Sequence, residues 1–220
     1  MNTEEIFEKI EFEVMTLFKN DKTGHCINHL KRVKNIALKI QQCEGGDKTV
    51  IGIAAMLHDV HRLMSDEQER WVHPKESLEI VKTILGKIKL SKEIVENILH
   101  CIEFHEEYDF SNDGITAKDL ETLVLQDADN LDAIGAIGIL RTGIYCGAHK
   151  IPMWIPEIPY NNSTYEESFM DTSLIHHCYH KLLRLKNNMN TDYGKKLAEH
   201  RHSFLEKFLE EFFAEWNGEK

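Results

Sequence analysis

Four short stretches of this sequence carry residue types suited to metal or phosphate chemistry. His25 and His29 lie in GHCINHLKRV, and His58 and Asp59 in AAMLHDVHRL. His100, His105, Glu106 and Asp109 fall in LHCIEFHEEYD, and Asp127, Asp129 and Asp132 in LQDADNLDAIG. The four-residue step from His25 to His29 puts both on one helix face, and Asp129 and Asp132 share a face from which Asp127 points away. The pair His58-Asp59 ends an apolar run, and the three acids interrupt a strongly apolar helical stretch. Buried acids and imidazoles are costly unless something pairs with them. Taken singly, each stretch reads as a helix cap, a solvated face or a satisfied buried hydrogen bond. Together they favour a shared cation, which neutralises carboxylates and accepts neutral imidazole.

The elements that must position these residues are helical almost throughout. One apolar stripe runs through Ile6, Ile10, Val14 and Phe18 after a Thr3 cap; a second runs through Ile27, Leu30, Val33, Ala37 and Ile40 and ends before Gly45-Gly46-Asp47. The run Val50 to Leu57 is read as helix from its Ala-Ala-Met-Leu content. Pro74 suits an early helical position, and Ser91 suits a cap for the next helix. Lys118 to about Tyr145 reads as one long helix in which Gly135 and Gly138 permit close helix approach. Two further helices are predicted, Asp171 to Asn187 and Thr191 to Trp216. The expected architecture is all-α, one domain over 1–220: a metal-binding core at about 20–145, a proline-rich loop at 149–165, and C-terminal helices at 171–216.

The whole chain narrows the function further. A net charge of -11 and a pI near 5.6 argue against nucleic-acid binding, which needs a basic footprint. The five cysteines are odd in number and include no C-x-x-C, so reduced thiols and a cytoplasmic location are expected. The first residues are acidic and lack the basic start and apolar core of a signal peptide. No apolar run approaches the ~18 residues of a membrane span, so no membrane partner is expected. Monomer and homodimer are both compatible with the sequence.

The ordered set H-x-x-R-V (29–33), LHD (57–59) and DADNLDAIGAIG (127–138) resembles the HD-domain metal-dependent phosphohydrolase superfamily. The third segment is most similar to the bacterial HD-domain nucleotide pyrophosphatases. The resemblance covers roughly residues 20–215. It implies a helical fold and a divalent ion (Mn²⁺, Mg²⁺, Co²⁺, Ni²⁺ or Fe²⁺) held by His29, His58, Asp59 and Asp129. It also implies hydrolysis of a phosphate ester or anhydride, with a small phosphorylated substrate, a nucleotide, as partner. The sequence departs from that subfamily at Cys26 and Asn130, where Asp and Arg are usual.

On that reading water attacks phosphorus in line, and Asp59 helps to deprotonate it. His61 or His105 protonates the leaving group, while Arg62 and Lys31 hold phosphate oxygens. Asp132 would orient a ligand imidazole from behind. The HP at 73–74 and FHEEYD at 104–109 resemble a binuclear phosphodiesterase branch, which makes His73 and His105 candidates for a second ion. A non-catalytic metal- or nucleotide-binding module is the remaining alternative. His176, His177 and His180 read as surface or core. The loop KIPMWIPEIPY would begin about 24 Å from Asp129 along a straight helix. It is either a packing loop or dimer contact, or a lid that folds back to stack Trp154 or Tyr160 on a base, with Lys150 on phosphate.

Overall fold

The computed structural model describes residues 2–68, 70–107, 119–159 and 172–220; Asp109 and Tyr160, two of the residues singled out above, lie outside them. Most helices begin where a side chain satisfies the free amides of the first turn. Asn2, rather than Thr3, caps α1 (Thr3–Leu17) by accepting from the Glu5 amide at 2.9 Å. α2 (Ile27–Glu44) stops at Gly45, whose φ of +95° suits glycine, and Asp47 caps α3 (Lys48–Leu57) from the Thr49 and Val50 amides. α4 spans Val60–Gln68. Pro74–Ser77 form a 3₁₀ turn leading into α5 (Leu78–Leu85), and Ser91 caps α6 (Lys92–Phe104) as expected.

α3 is the centre of the molecule. Every residue from Val50 to Leu57 is buried, and the helix packs against α1, α2, α6 and α7 (Leu120–Asp132). A helix apolar all round belongs inside a protein. Contact with α1 is so close that a Cβ on Gly52 would lie 2.2 Å from the Phe7 ring. Because α3 is fixed on all sides, so is its C-terminal end, where His58 and Asp59 emerge.

The long helix expected from Lys118 to Tyr145 is instead two, α7 and α8 (Gly135–Ala148), bent by 75°. Ile134 is extended and Gly135 takes φ +78°, a left-handed conformation open to glycine at low cost. Gly138 is needed too: a Cβ there would lie 2.1 Å from the Ala133 carbonyl oxygen. The Arg201 guanidinium donates to the Leu131 carbonyl and closes the end of α7. The two glycines therefore serve the break as well as packing. The break turns α8 back, so that Tyr145 meets the His25 ring edge-on at 5.7 Å. The distance expected along a straight helix does not hold.

The segment expected as one helix from Asp171 is α9 (Leu174–His180) followed by a 3₁₀ stretch, Leu182–Asn188. α10 (Asp192–Trp216), capped by Thr191, lies against α8, α7 and α2. No strand occurs among the described residues, and no single helix there is long and apolar enough to cross a membrane. The all-α expectation therefore holds.

Candidate metal centre

Three helices bring four distant residues together. His29 comes from the first turn of α2, His58 and Asp59 from the end of α3, and Asp129 from the last turn of α7. His29 Nε2 lies 3.3 Å from His58 Nε2, 3.1 Å from Asp59 Oδ2 and 3.5 Å from Asp129 Oδ1. His58 Nε2 lies 3.5 Å from Asp59 Oδ1 and 3.7 Å from Asp129 Oδ1. Ligands about 2.0–2.4 Å from one divalent ion stand about 2.8–3.9 Å from their neighbours. These separations fit that range.

Tautomers decide what the rings present. His58 Nδ1 donates to the Ala55 carbonyl at 2.9 Å, and His29 Nδ1 faces Asp132 Oδ2 at 2.7 Å. A carbonyl oxygen only accepts, so the proton sits on Nδ1 and neutral Nε2 turns a lone pair inward. His61 and His105 repeat the arrangement, donating to the carbonyls of His58 and Ile102 at 3.0 and 2.7 Å. His61 Nε2, His105 Nε2 and Asp59 Oδ2 are buried without a hydrogen bond. The donor set is thus imidazole nitrogen and carboxylate oxygen, which suits a divalent first-row ion. Three overlapping groups could each hold one: His29, His58 and Asp59; His58, His105 and Asp129; and Asp59, His61 and His105.

Charge in the cluster is strongly perturbed. Burial works against a proton on His58, but Asp59 and Asp129 outweigh it and raise its pKa to about 9. Burial likewise opposes ionisation of Asp59 and Asp129, yet the neighbouring imidazoles hold both below the usual carboxylate range. His105 goes the other way: burial, joined by His58 and His61, pulls it down to about 4. Without a cation, a proton on His58 takes the cation's place.

Behind the ring of His29, Asp132 is held by two arginines. Arg32 Nε and Nη2 donate at 2.8 and 3.0 Å, and Arg141 Nη1 at 3.1 Å. Burial penalises the Asp132 charge, but His29 and Arg32 hold its carboxyl well below the ordinary range. Carboxylate behind imidazole is the usual support for a metal-binding histidine. Arg32 was visible as the arginine of H-x-x-R. Arg141 had no local signal, because only the break after α7 returns it. Glu106 was visible only as one acid among several; it accepts from Arg62 and lies 3.3 Å from His61 Nε2.

The structure does not bring every expected residue to the centre. Lys31 Nζ pairs with Glu11 of α1 at 2.6 Å, on another face of α2 from His29. Arg62 is at the centre, 3.7 Å from Asp59 Oδ1, but committed to Glu106. His25 precedes α2 rather than sharing its face with His29, although the two rings stand 5.8 Å apart. His73 accepts from the Lys75 amide at 3.1 Å and caps the 3₁₀ turn, and His100 pairs with Asp119. Asp127 points elsewhere, as expected: it accepts from Asn190 and Thr191. Trp154 stacks on His176 at 4.8 Å and meets Phe213 edge-on, while Pro152 and Met153 carbonyls accept from Leu174 and Ile175. The described part of the proline-rich loop is therefore tied to α9 and α10, as its packing reading expects.

A cluster of His and Asp from three helices around a cation-sized gap, backed by a carboxylate, defines a candidate divalent-metal centre in an all-α fold. The HD domain family matches residues 26–134, and the chain belongs to that family. It is 32% identical over 205 residues to the uncharacterized protein YpgQ of Bacillus subtilis, covering 92% of this chain and 89% of that one. A solved Lactobacillus plantarum structure superposes with a TM-score of 0.78 at 31% identity, covering 99% of this chain and 100% of the other. An HD-superfamily hydrolase from Bacillus thuringiensis superposes with a TM-score of 0.72 at 34% identity over 98% and 99%. Bacillus subtilis YpgQ in complex with ADP gives 0.67 at 28% identity over 94% and 95%.

Proposed function

We propose that this chain, working as one HD-type unit, is a divalent-metal-dependent phosphohydrolase acting on a phosphate ester or anhydride of a small nucleotide. A nucleoside triphosphate pyrophosphatase is the specific form. The observation that carries the reading is the inward convergence of lone-pair atoms from His29, His58, Asp59 and Asp129, with no donor among them to satisfy the set while the imidazoles are neutral. These four would hold the ion, which when bound supplies Lewis acidity toward water and the phosphoryl oxygen. Nucleotide as substrate is supported by the ADP complex of the Bacillus subtilis relative.

The chain's own residues do the rest. Asp132, braced by Arg32 and Arg141, keeps His29 in its tautomer. Asp59 Oδ2, which has no hydrogen bond, accepts from the attacking water, aligns it and takes its proton as the new P–O bond forms, passing that proton on to solvent. The P–O bond opposite the water breaks, and the leaving oxygen departs with the bonding pair. Arg62, held beside Asp59 by Glu106, adds positive charge where phosphate oxygens approach. The sequence expectation of His61 or His105 as proton donor is not what the tautomers favour: each neutral ring has its proton on Nδ1, bound to a carbonyl. A diphosphate leaving group, stable as an anion, needs no such proton.

Phosphate and pyrophosphate release from a nucleotide panel with Mn²⁺, Mg²⁺ or Co²⁺ tests the reading. Turnover should vanish with chelator and in His58→Ala. A metal-loaded protein inert toward the whole panel would instead be a binding module.

A further inference from the structure

The loop that leads into α2 is more firmly built than a connector requires. The Thr23 amide donates to Asp21 Oδ1 at 2.7 Å, and the Thr23 hydroxyl donates to the same oxygen at 3.1 Å. Arg141 of α8 donates from Nε to the Gly24 carbonyl at 3.0 Å, while its Nη1 holds Asp132. The next residue is His25. Its ring is half-buried and stands edge-on both to the His29 ring at 5.8 Å and to the Tyr145 ring at 5.7 Å. Tyr145 stacks in turn on His149 at 4.1 Å. A row of rings thus leads from the metal centre out along α8.

Hydrogen bonding fixes what His25 presents. The Thr23 hydroxyl has one hydrogen, which goes to Asp21, so its oxygen accepts from His25 Nδ1 at 3.2 Å. Nε2 of the neutral ring keeps a lone pair, to which no group among the described residues donates. Ionised phosphate oxygens only accept and offer that nitrogen nothing, whereas a sugar hydroxyl donates. When a nucleoside triphosphate loses pyrophosphate, the attacked phosphorus carries the 5′-oxygen of the sugar, so the sugar lies beside the metal centre. From this juxtaposition we infer that His25 and Tyr145 form the pentose site of a nucleotide: the Tyr145 ring backs the carbon face of the sugar, and His25 Nε2 accepts from a sugar hydroxyl. The inference rests on the nucleotide reading above. It places sugar recognition on α8, which reaches the centre only through the break after α7.

Binding calorimetry on the full chain with Mn²⁺ tests the site with three probes: ADP, its 2′,3′-dideoxy form, and inorganic pyrophosphate, which has no sugar. The wild-type chain should bind ADP about tenfold more tightly than dideoxy-ADP, the worth of one hydrogen bond. His25→Ala should lose that preference by weakening ADP alone. Tyr145→Ala should weaken both nucleotides about tenfold, and Tyr145→Phe should restore them. Neither alanine variant should change pyrophosphate affinity by more than about twofold. The wild-type comparison needs no variant, so it stands even if a substitution prevents folding. Equal binding of ADP and dideoxy-ADP by the wild-type chain overturns the pentose site and leaves the nucleotide reading intact. So does a His25→Ala variant that keeps the preference. Equal losses on all three probes in His25→Ala overturn it too, since His25 would then serve only to pack His29. A wild-type chain that binds pyrophosphate but neither nucleotide overturns the nucleotide reading itself.

Discussion

Asp127 and Asp129 stand two residues apart on one helix and meet opposite surroundings. Asp127 accepts from the Asn190 amide and side chain at 2.7 and 2.9 Å, and from the Thr191 amide and hydroxyl at 2.7 and 2.6 Å. Its lone pairs are filled by donors. Asp129 faces the imidazoles of His29 and His58 at 3.5 and 3.7 Å, with Asp59 close by. Both acids are largely buried, so burial alone says nothing about role. The difference is whether the neighbours give protons or compete for them. Asp127 fastens the start of α10 to α7, and Asp129 offers its oxygens to a cation. Gly194 reports the same fastening from the other side, since a Cβ there would lie 2.3 Å from Asp127 Oδ2.

The sharpest way to break this comparison is to remove each acid in turn. Asp129→Ala should lower kcat/KM by about a thousandfold, the scale of several kcal/mol of lost transition-state stabilisation. Its melting temperature without metal should fall only modestly, because the carboxylate that pairs with protonated His58 is lost together with its repulsion of Asp59. Asp127→Ala should do the reverse: it strands buried donors and costs about 3 kcal/mol of stability. Denaturant titration and kinetics per folded molecule measure the two effects. If Asp127→Ala removed metal binding and Asp129→Ala removed stability, the assignment of the two acids would be inverted.

A second test sharpens the claim that a proton replaces the cation. His58 in the metal-free protein has its pKa raised to about 9 from an ordinary value of 6.5. Because the folded value is the higher, its contribution to stability is fully present below about pH 6.5 and is lost as pH rises through about 9. Metal must displace that proton. Apparent Mn²⁺ affinity should therefore climb by up to about tenfold per pH unit between pH 6.5 and 9, then level off. Calorimetry in buffers of different ionisation enthalpy should show close to one proton released per ion at pH 7. Affinity independent of pH over that window would mean that His58 is not a ligand.

What the sequence made legible follows from the range of the interactions involved. Local apolar patterns put His25, His29, His58, Asp59, Asp129 and Asp132 among the candidates and set Asp127 apart by helical periodicity, whereas the choice of His29, His58, Asp59 and Asp129 came from the resemblance to the HD-domain superfamily. The cap at Ser91 and the course of α10 are equally local. The break after Asp132 was not legible. Glycine in a helical pattern can mean close packing or a left-handed turn, and only the contacts with Ala133 and Arg201 decide between them. Arg141 and Glu106 were hidden for the same reason: their partners lie on other elements. The tautomers of His61 and His105 depend on carbonyls three residues back, which become geometry only once the helix ends are placed.

Lys31 supplies the smallest effect and a useful control, because Arg32 is its neighbour in sequence and its opposite in position. Successive residues of a helix are turned by about 100°. His29 and Arg32, three apart, therefore share a face, and Arg32 reaches Asp132 with two nitrogens. Lys31 is turned toward α1, where it pairs with Glu11 at 2.6 Å in a partly exposed setting. Lys34 Nζ stands 3.8 Å from the same carboxylate, so Glu11 retains a cation if Lys31 is removed. An ion pair of this kind is worth about 0–1 kcal/mol. Lys31→Ala should therefore leave KM and kcat within about twofold and shift the melting temperature by about 4 °C at most. Arg32→Ala should instead weaken metal binding by about tenfold or more, as loss of support behind a metal-binding histidine does. Steady-state kinetics on the best nucleotide and Mn²⁺ titration of both variants make the comparison. A rise in KM for Lys31→Ala comparable to the loss in Arg32→Ala would return Lys31 to the phosphate-binding role its sequence position suggested.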